Sequence, residues 1–400
     1  MVMCWMFGLG TQLSWNITST MGDYLYELFP DYHPARVLTL VYLPFCIATI
    51  MVFSYNEAII DTRKRNITGY VLFFLCIFSF AALDLATSGS GGMRNYLGVC
   101  FLVALSGVAD AHVQGGMVGD LALMCSEFIQ FYLVGLASSG LFASILRLIT
   151  KGAFENVKHG LRKGALVYLA ISSIFEFLCI ILYVFFFPKL PIVKYYRAKA
   201  AREGSKTVVS DLNAAGVQLE LDQHTKANVN YQKRLNNKQL VYQNFDYLMD
   251  IFLICVIALS ILPGFLYENT GTHKLGTWYP IVLVTTYHVS NLLSRYVPLI
   301  KCLKMESRKG LMILVLSRFL LIPAFYFTAK YCDQGWMIAL VFVLGFSTGY
   351  PTICVMMAAP QPYIGPEKNA LGNLLVLSLQ IGILFGVALD WLWIIGNGNF

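Results

Sequence analysis

The chain has 400 residues, of which 57% are hydrophobic and only 13% charged, about half the charge of an ordinary water-soluble domain. Its formal net charge is +7, but the basic residues sit in short stretches between long apolar runs, which is a membrane-topology pattern and argues against nucleic acid as a partner. A bilayer core needs about 20 apolar residues per crossing, and within lipid each crossing must satisfy its own backbone groups as a helix. The composition therefore predicts an all-α polytopic membrane protein whose solvent is the lipid bilayer.

In chain order, eleven spans are expected: 2–27, 36–58, 67–87, 96–125, 128–150, 165–188, 247–267, 276–300, 310–330, 335–358 and 369–395. The first is the most polar, with Gln12, Ser14 and Asn16, and ends at Asp23. It lacks a basic leader and a small-residue cleavage site, so no signal peptide is expected. It begins almost at once, which leaves room for a short cytosolic tail ahead of residue 1.

Between the sixth and seventh spans lies one long polar segment, 189–246. Over 189–240 it carries ten Lys/Arg against four acids, so the positive-inside rule places it in the cytosol. Arg63, Lys64 and Arg65, and later Lys301, Lys304, Arg308 and Lys309, fall on the same side if the N-terminus is inside; Lys151, Lys158, Arg162 and Lys163 go against this. The expected organisation is a six-helix bundle over 1–188, a basic cytosolic loop over 189–246 and a five-helix bundle over 247–400. Two bundles joined by a cytosolic connector is a common transporter plan, with cargo held near the midplane.

Polar residues within the spans mark candidate function, because an ionisable side chain in lipid is costly and turns toward protein or a water-filled cavity. In the fourth span Asp110 and Gln114 are four residues apart and share a helix face; a carboxylate and an amide there suit hydroxyls and base edges. Gly115 and Gly119 form a GxxxG step that lets another helix approach closely. His112 points to another face, as a packing histidine would. In the eighth span His288, Asn291 and Arg295 form a stripe, with Tyr287 beside it. The competing reading of Arg295 is snorkelling toward cytosolic headgroups, since Pro298 and Lys301 follow. Trp15 offers an apolar face for stacking a base. The sequences Asn16-Ile17-Thr18 and Asn66-Ile67-Thr68 match glycosylation acceptors, but one lies in a span and the other in a cytosolic turn.

The ten cysteines include no CxxC pair and lie in or beside apolar runs, where they read as small packing residues. The six histidines form no metal box, and neither a GxSxG nor a phosphate-binding glycine loop occurs. No enzyme, no metal and no cofactor is expected. Gradient-driven or facilitated passage remains, and Asp110 and His288 are the groups through which protons would couple to it.

Several stretches together resemble the equilibrative nucleoside transporter family, in its plant branch. They are Gly8 to Thr11 through Ser14-Trp15-Asn16, Asp31-Tyr32-His33-Pro34 with Arg36 to Tyr42, Thr62 to Asn66, Asp110 to Asp120, Phe128 to Gly140 with Arg147 to Thr150, and Gly365-Pro366-Glu367. The resemblance runs nearly end to end. It implies eleven helices in a 6+5 arrangement similar to the major facilitator fold. It also implies nucleosides such as adenosine and uridine, sometimes nucleobases, as cargo, and the plasma or vacuolar membrane as location. In the family the tryptophan matching Trp15 and the glutamine matching Gln114 lie at the central cavity, and the glycine matching Gly135 is tied to transport and packing. The family's aspartate and arginine of the eighth span engage the ribose. Here Arg295 is retained, while Asn291 stands at the aspartate position and His288 at an asparagine position. That suggests Asp110 as a counter-charge for Arg295. A carrier of another solute, or a non-transporting sensor or scaffold working through the 189–246 loop, are the alternatives.

Overall fold

The structure is a computed structural model. It describes residues 1–32, 34–56, 60–122, 124–154, 157–199, 202, 235–262, 265–266, 278–331, 334–363 and 366–393. His33, Gly365, Cys332 and residues 203–234 of the basic loop lie outside them.

The regular elements among the described residues are all helices, as apolar runs in lipid require. The N-terminal helices are α1 (Val2–Thr20), the short α2 (Gly22–Leu28), α3 (Pro34–Tyr55), α4 (Thr62–Ala86), α5 (Met93–Ala122), α6 (Ser126–Phe154) and α7 (Gly160–Ile181). A helix over 191–199, α8, follows. The C-terminal ones are α9 (Asn237–Gln243), α10 (Phe245–Leu259), α11 (Tyr279–Tyr296), α12 (Arg308–Ser317), α13 (Leu321–Lys330), α14 (Gln334–Ala358) and α15 (Pro366–Asp390). The first expected span thus ends at Thr20, and the chain turns at Met21 into the separate α2. The expected polar connector begins and ends in helix, with α8 and α9 at its two ends.

Among the described residues eight segments are long and apolar enough to cross a membrane, or nine if α9 and α10, bent by 74° at Asn244, count as one. The other two expected spans are α1 and α11. They are long enough but carry the polar residues named above, and those residues turn inward. Local signals set the helix starts. The Asp61 carboxylate accepts from the Arg63 and Lys64 amides at the head of α4, and Asn236 and Gln239 form a capping box on α9. α12 and α13 form one apolar segment joined by a tighter turn over Arg318–Leu320.

Within the N-terminal half α1 packs mainly on α6, and α5 on α3 and α4; in the C-terminal half α11 packs on α14, and α10 on α15. The halves meet through α6 against α11 and through α15 against α3 and α5. Glycines set the closest crossings. A Cβ on Gly135 would run into the Trp5 carbonyl, and one on Gly8 into the Tyr132 carbonyl, so α1 and α6 touch backbone to backbone. Gly119 of α5 receives Asn369 of α15, and Gly115 lies against the side chains of Arg65 and Asn373. At these crossings the glycines provide space; the positive backbone φ angles fall elsewhere, at Gly89 and Gly92.

Candidate functional site

A cavity of about 240 Å³ lies between the halves. The N-terminal half lines it with Gln12, Trp15, Asn16, Tyr42, Gln114, Leu133 and Gly140, among others. The C-terminal half contributes Cys255, Tyr287, His288, Asn291, Arg295, Thr348, Thr352 and Gln380. The lining comes from α1, α3, α5 and α6 on one side and α10, α11, α14 and α15 on the other, so no single half holds the site.

On α1, Trp15 and Asn16 sit side by side. The Trp15 ring packs on Tyr42 with centroids 4.6 Å apart, forming an aromatic wall. Asn16 Nδ2 donates to Ser139 Oγ at 2.6 Å, which holds α1 to α6 beside the cavity. This bond explains why Asn16-Ile17-Thr18 is not a free surface motif.

On α11 the i, i+4 spacing brings Asn291 and Arg295 together: Arg295 Nε donates to Asn291 Oδ1 at 3.0 Å. The guanidinium also donates to the Leu133 carbonyl of α6, across the interface. Arg295 therefore points into the cavity wall rather than to headgroups. His288, three residues from Asn291, faces Gly140; a Cβ there would strike its ring. The stripe read from the sequence is thus a cavity surface along its length.

Asp110 is placed differently. It is fully buried and set back from the cavity lining, and among the described residues no ion pair joins it to Arg295. Its Oδ2 accepts from Gln380 Nε2 at 2.9 Å and from the Cys46 thiol at 3.5 Å. Gln114, one turn along α5, does line the cavity and accepts at Oε1 from the same Gln380 nitrogen at 2.8 Å. His112 is a packing residue: Nδ1 sits 2.8 Å from the Val108 carbonyl and the ring meets Phe53 edge-on at 4.5 Å.

Sequence reasoning passed over three residues. Tyr42 was read only as part of a resembling stretch. Gln380 is a lone amide in an apolar run, with partners 266 and 270 positions away. Arg318, almost fully buried, donates to Ser347 Oγ at 3.2 Å, to the Ile254 carbonyl at 3.0 Å and to Thr348 Oγ1 at 2.7 Å. It thereby fixes Thr348 in the cavity wall. The signal was available for Arg318: a guanidinium in the middle of a predicted span demands a partner.

Beside the cavity on one side the halves are closed on each other. Arg65 of α4 donates to Asn373 of α15 at 3.1 Å and to the Ala111 carbonyl of α5 at 2.7 Å. Arg197 of α8 pairs with Asp120 at the end of α5 at 2.6 Å.

Two helical bundles that share a cavity at their interface have a fold of the major facilitator type. The solved structures agree on the fold. The proton:xylose symporter XylE superposes with a TM-score of 0.67 at 14% identity, covering 98% of this chain and 87% of that one. A bacterial homologue of the iron transporter ferroportin in an outward-facing state gives 0.55 at 15%, covering 98% and 92%. The model of the nucleoside transporter family matches residues 100–395, and the chain belongs to that family. Equilibrative nucleotide transporter 5 of Arabidopsis thaliana is 57% identical over all of this chain and 95% of its own length. Equilibrative nucleotide transporter 3 is 58% identical with the same coverage, whereas equilibrative nucleotide transporter 1 is 27% identical over 97% of this chain and 84% of its own. The chain is thus a plant-type member of the family, a transporter and not an enzyme.

Proposed function

We propose that the cavity holds one nucleoside during alternating access. The base lies against Trp15 and Tyr42 within reach of Gln114, and the ribose beside Asn291, Arg295 and His288. The two halves, residues 1–188 and 247–400, rock about this site, with 189–246 as their cytosolic connector. One observation carries the reading. The costliest residue of the eighth span, Arg295, spends its donors on Asn291 and on a carbonyl of the opposite half at the wall of a cavity. A cavity volume of about 240 Å³ is below the usual range of about 300–1,000 Å³ for drug-sized ligands and suits a cargo of one or two rings. An aromatic wall opposite a polar stripe matches the two faces of a nucleoside. The relatives' names point the same way.

The cargo in this reading includes adenosine and uridine, the bilayer is the plasma membrane, Gly115 and Gly119 provide the close approach of α5 to the opposite half, and Gly135 the close crossing of α6 on α1 within the N-terminal half. Passage is facilitated or proton-coupled, and Asp110 and His288 are the titratable groups at or next to the cavity. The test is uptake of radiolabelled adenosine and uridine in a host lacking nucleoside carriers, at several external pH values with and without an uncoupler. Saturable uptake competed by unlabelled nucleosides and lost in Arg295→Ala supports the reading; uptake competed only by unrelated solutes overturns it.

A further inference from the structure

Gln380 stands on α15, buried, and its side chain crosses from the C-terminal half to α5. A single nitrogen, Nε2, serves two acceptors: Asp110 Oδ2 at 2.9 Å and Gln114 Oε1 at 2.8 Å. The donor and acceptor inventory fixes this arrangement. The Asp110 oxygen that meets Gln380 also accepts from the Cys46 thiol, so it acts as an acceptor there and takes the nitrogen of the Gln380 amide and not its oxygen. The NH₂ group carries two hydrogens, one for each acceptor. Gln114 must then turn its oxygen toward Gln380, and its own NH₂ is left for the cavity that it lines.

We infer that Gln380 is a positioning residue that makes Gln114 present its hydrogen-bond donors to the cargo, so that the site favours a base with a carbonyl at that edge and disfavours an exocyclic amino group. The inference rests on the nucleoside reading of the cavity. Uridine carries a carbonyl where cytidine carries an amino group, with the neighbouring ring nitrogen protonated only in uridine, and inosine and adenosine differ in the same sense. With Gln114 held as a donor, the amino member of a pair meets a second donor and leaves both unpaired, which is the arrangement that polar sites reject most strongly. Freed from Gln380, the Gln114 amide can turn over and accept from an amino group. Because Gln380 belongs to the other half, this reading of the base also ends when α15 parts from α5.

The test is the ratio of inhibition constants, amino over carbonyl, for both pairs against labelled nucleoside uptake. It is measured in wild type, Gln380→Met, Gln114→Met and the double variant. Met has the length of Gln without its hydrogen bonds. The larger of the two wild-type ratios is expected to fall about three- to tenfold in Gln380→Met, the worth of about one hydrogen bond, with no further fall when Gln380→Met is added to Gln114→Met. A loss of packing alone would lower transport rate for all four cargoes and leave the ratios where they were. Ratios unchanged in Gln380→Met while Gln114→Met shifts them overturn the inference and leave the cavity reading standing. An equal fall in the Gln114→Met background also overturns it, since Gln380 would then act without Gln114. Inhibition constants indifferent to Gln114→Met overturn the cavity reading and this inference with it. Should Gln380→Met not reach the membrane, Gln380→Asn is used, whose amide is one carbon too short to span both acceptors. Binding of the four nucleosides to the purified protein must then show the same fall, and wild-type ratios there overturn the inference.

Discussion

Arg295 of α11 donates to the backbone carbonyl of Leu133 on α6, so a charged side chain of one half is bonded to the main chain of the other. The carbonyl cannot be removed by mutation of Leu133, but the donor can. Lysine keeps the charge and loses the planar fork that reaches Asn291 and Leu133 together. Arg295→Lys is expected to cut uptake about ten- to a hundredfold, the range for losing a hydrogen bond to a charged group. Surface-corrected initial rates measure it; rates within twofold of wild type would place Arg295 outside the transport cycle.

Asn291 accepts from Arg295 without supplying charge. Asn291→Asp would convert that bond into an ion pair at i, i+4 spacing. If the wild-type chain already transports, the variant changes KM by less than about tenfold in either direction. Uptake seen only in Asn291→Asp would instead favour a sensor or scaffold as the wild-type role.

Two glycines separate packing from transport. Gly135 abuts the Trp5 carbonyl, which is main chain and cannot step aside, whereas Gly140 abuts the His288 ring, which can rotate. Gly135→Ala is therefore expected to lower stability by about 1–3 kcal/mol, the usual cost of overpacking, seen as an earlier thermal transition in detergent. Gly140→Ala should leave the transition nearly unchanged and raise KM by displacing His288. Adding His288→Ala should remove the overlap and restore part of the affinity; a purely additive double variant would deny the contact.

Much of this was legible in the residues, for reasons that differ by residue. Runs of about 20 apolar residues are long-range-free signals, so most of the expected segments emerge from composition and length alone, while α1 and α11, with their polar residues, do not. Asn291 and Arg295 are equally local, because helical periodicity puts them on one face whatever surrounds them. Asp110 was legible as an unusual residue but not as to its partner. The sequence suggested Arg295, whereas the buried carboxylate is met by Gln380 and Cys46. That partner comes from α15, and nothing in the spacing of residues near 110 refers to a helix some 270 positions later. Arg318 is the converse: its burial cost is local and readable, but its three acceptors come from two other helices.

Arg197 and Asp120 link the start of the basic connector to the end of α5 at 2.6 Å. Asp120 is nearly buried, while Arg197 is about a third exposed. Removing the partner of a buried charge costs more than the pair itself contributes, but the exposed arginine tempers this. Arg197→Gln is expected to cost about 1–3 kcal/mol of stability, and Arg197→Gln with Asp120→Asn should recover most of it. The comparison of thermal transitions for the single and double variants decides; equal losses in both would mean that the pair is incidental.

Gly119 and Asn369 offer a direct test of alternating access. A Cβ on Gly119 would lie 2.8 Å from the Asn369 Cγ and 3.6 Å from its Cα, which leaves the Asn369 β-carbon between those two atoms near the separation that a disulfide needs between β-carbons, about 3.5–4.5 Å. The contact joins α5 of one half to α15 of the other, on the side of the cavity sealed by Arg65 and Asn373. If transport requires these helices to part, Gly119→Cys with Asn369→Cys should lose uptake on oxidation and regain it on reduction, while each single variant stays insensitive to oxidant. The protein's own cysteines serve as the control, since they are present in both singles. Cross-linked protein, verified on a gel, that still carries nucleoside at the uncrosslinked rate would mean that the halves do not separate here. The cargo would then pass by some route other than opening between α5 and α15.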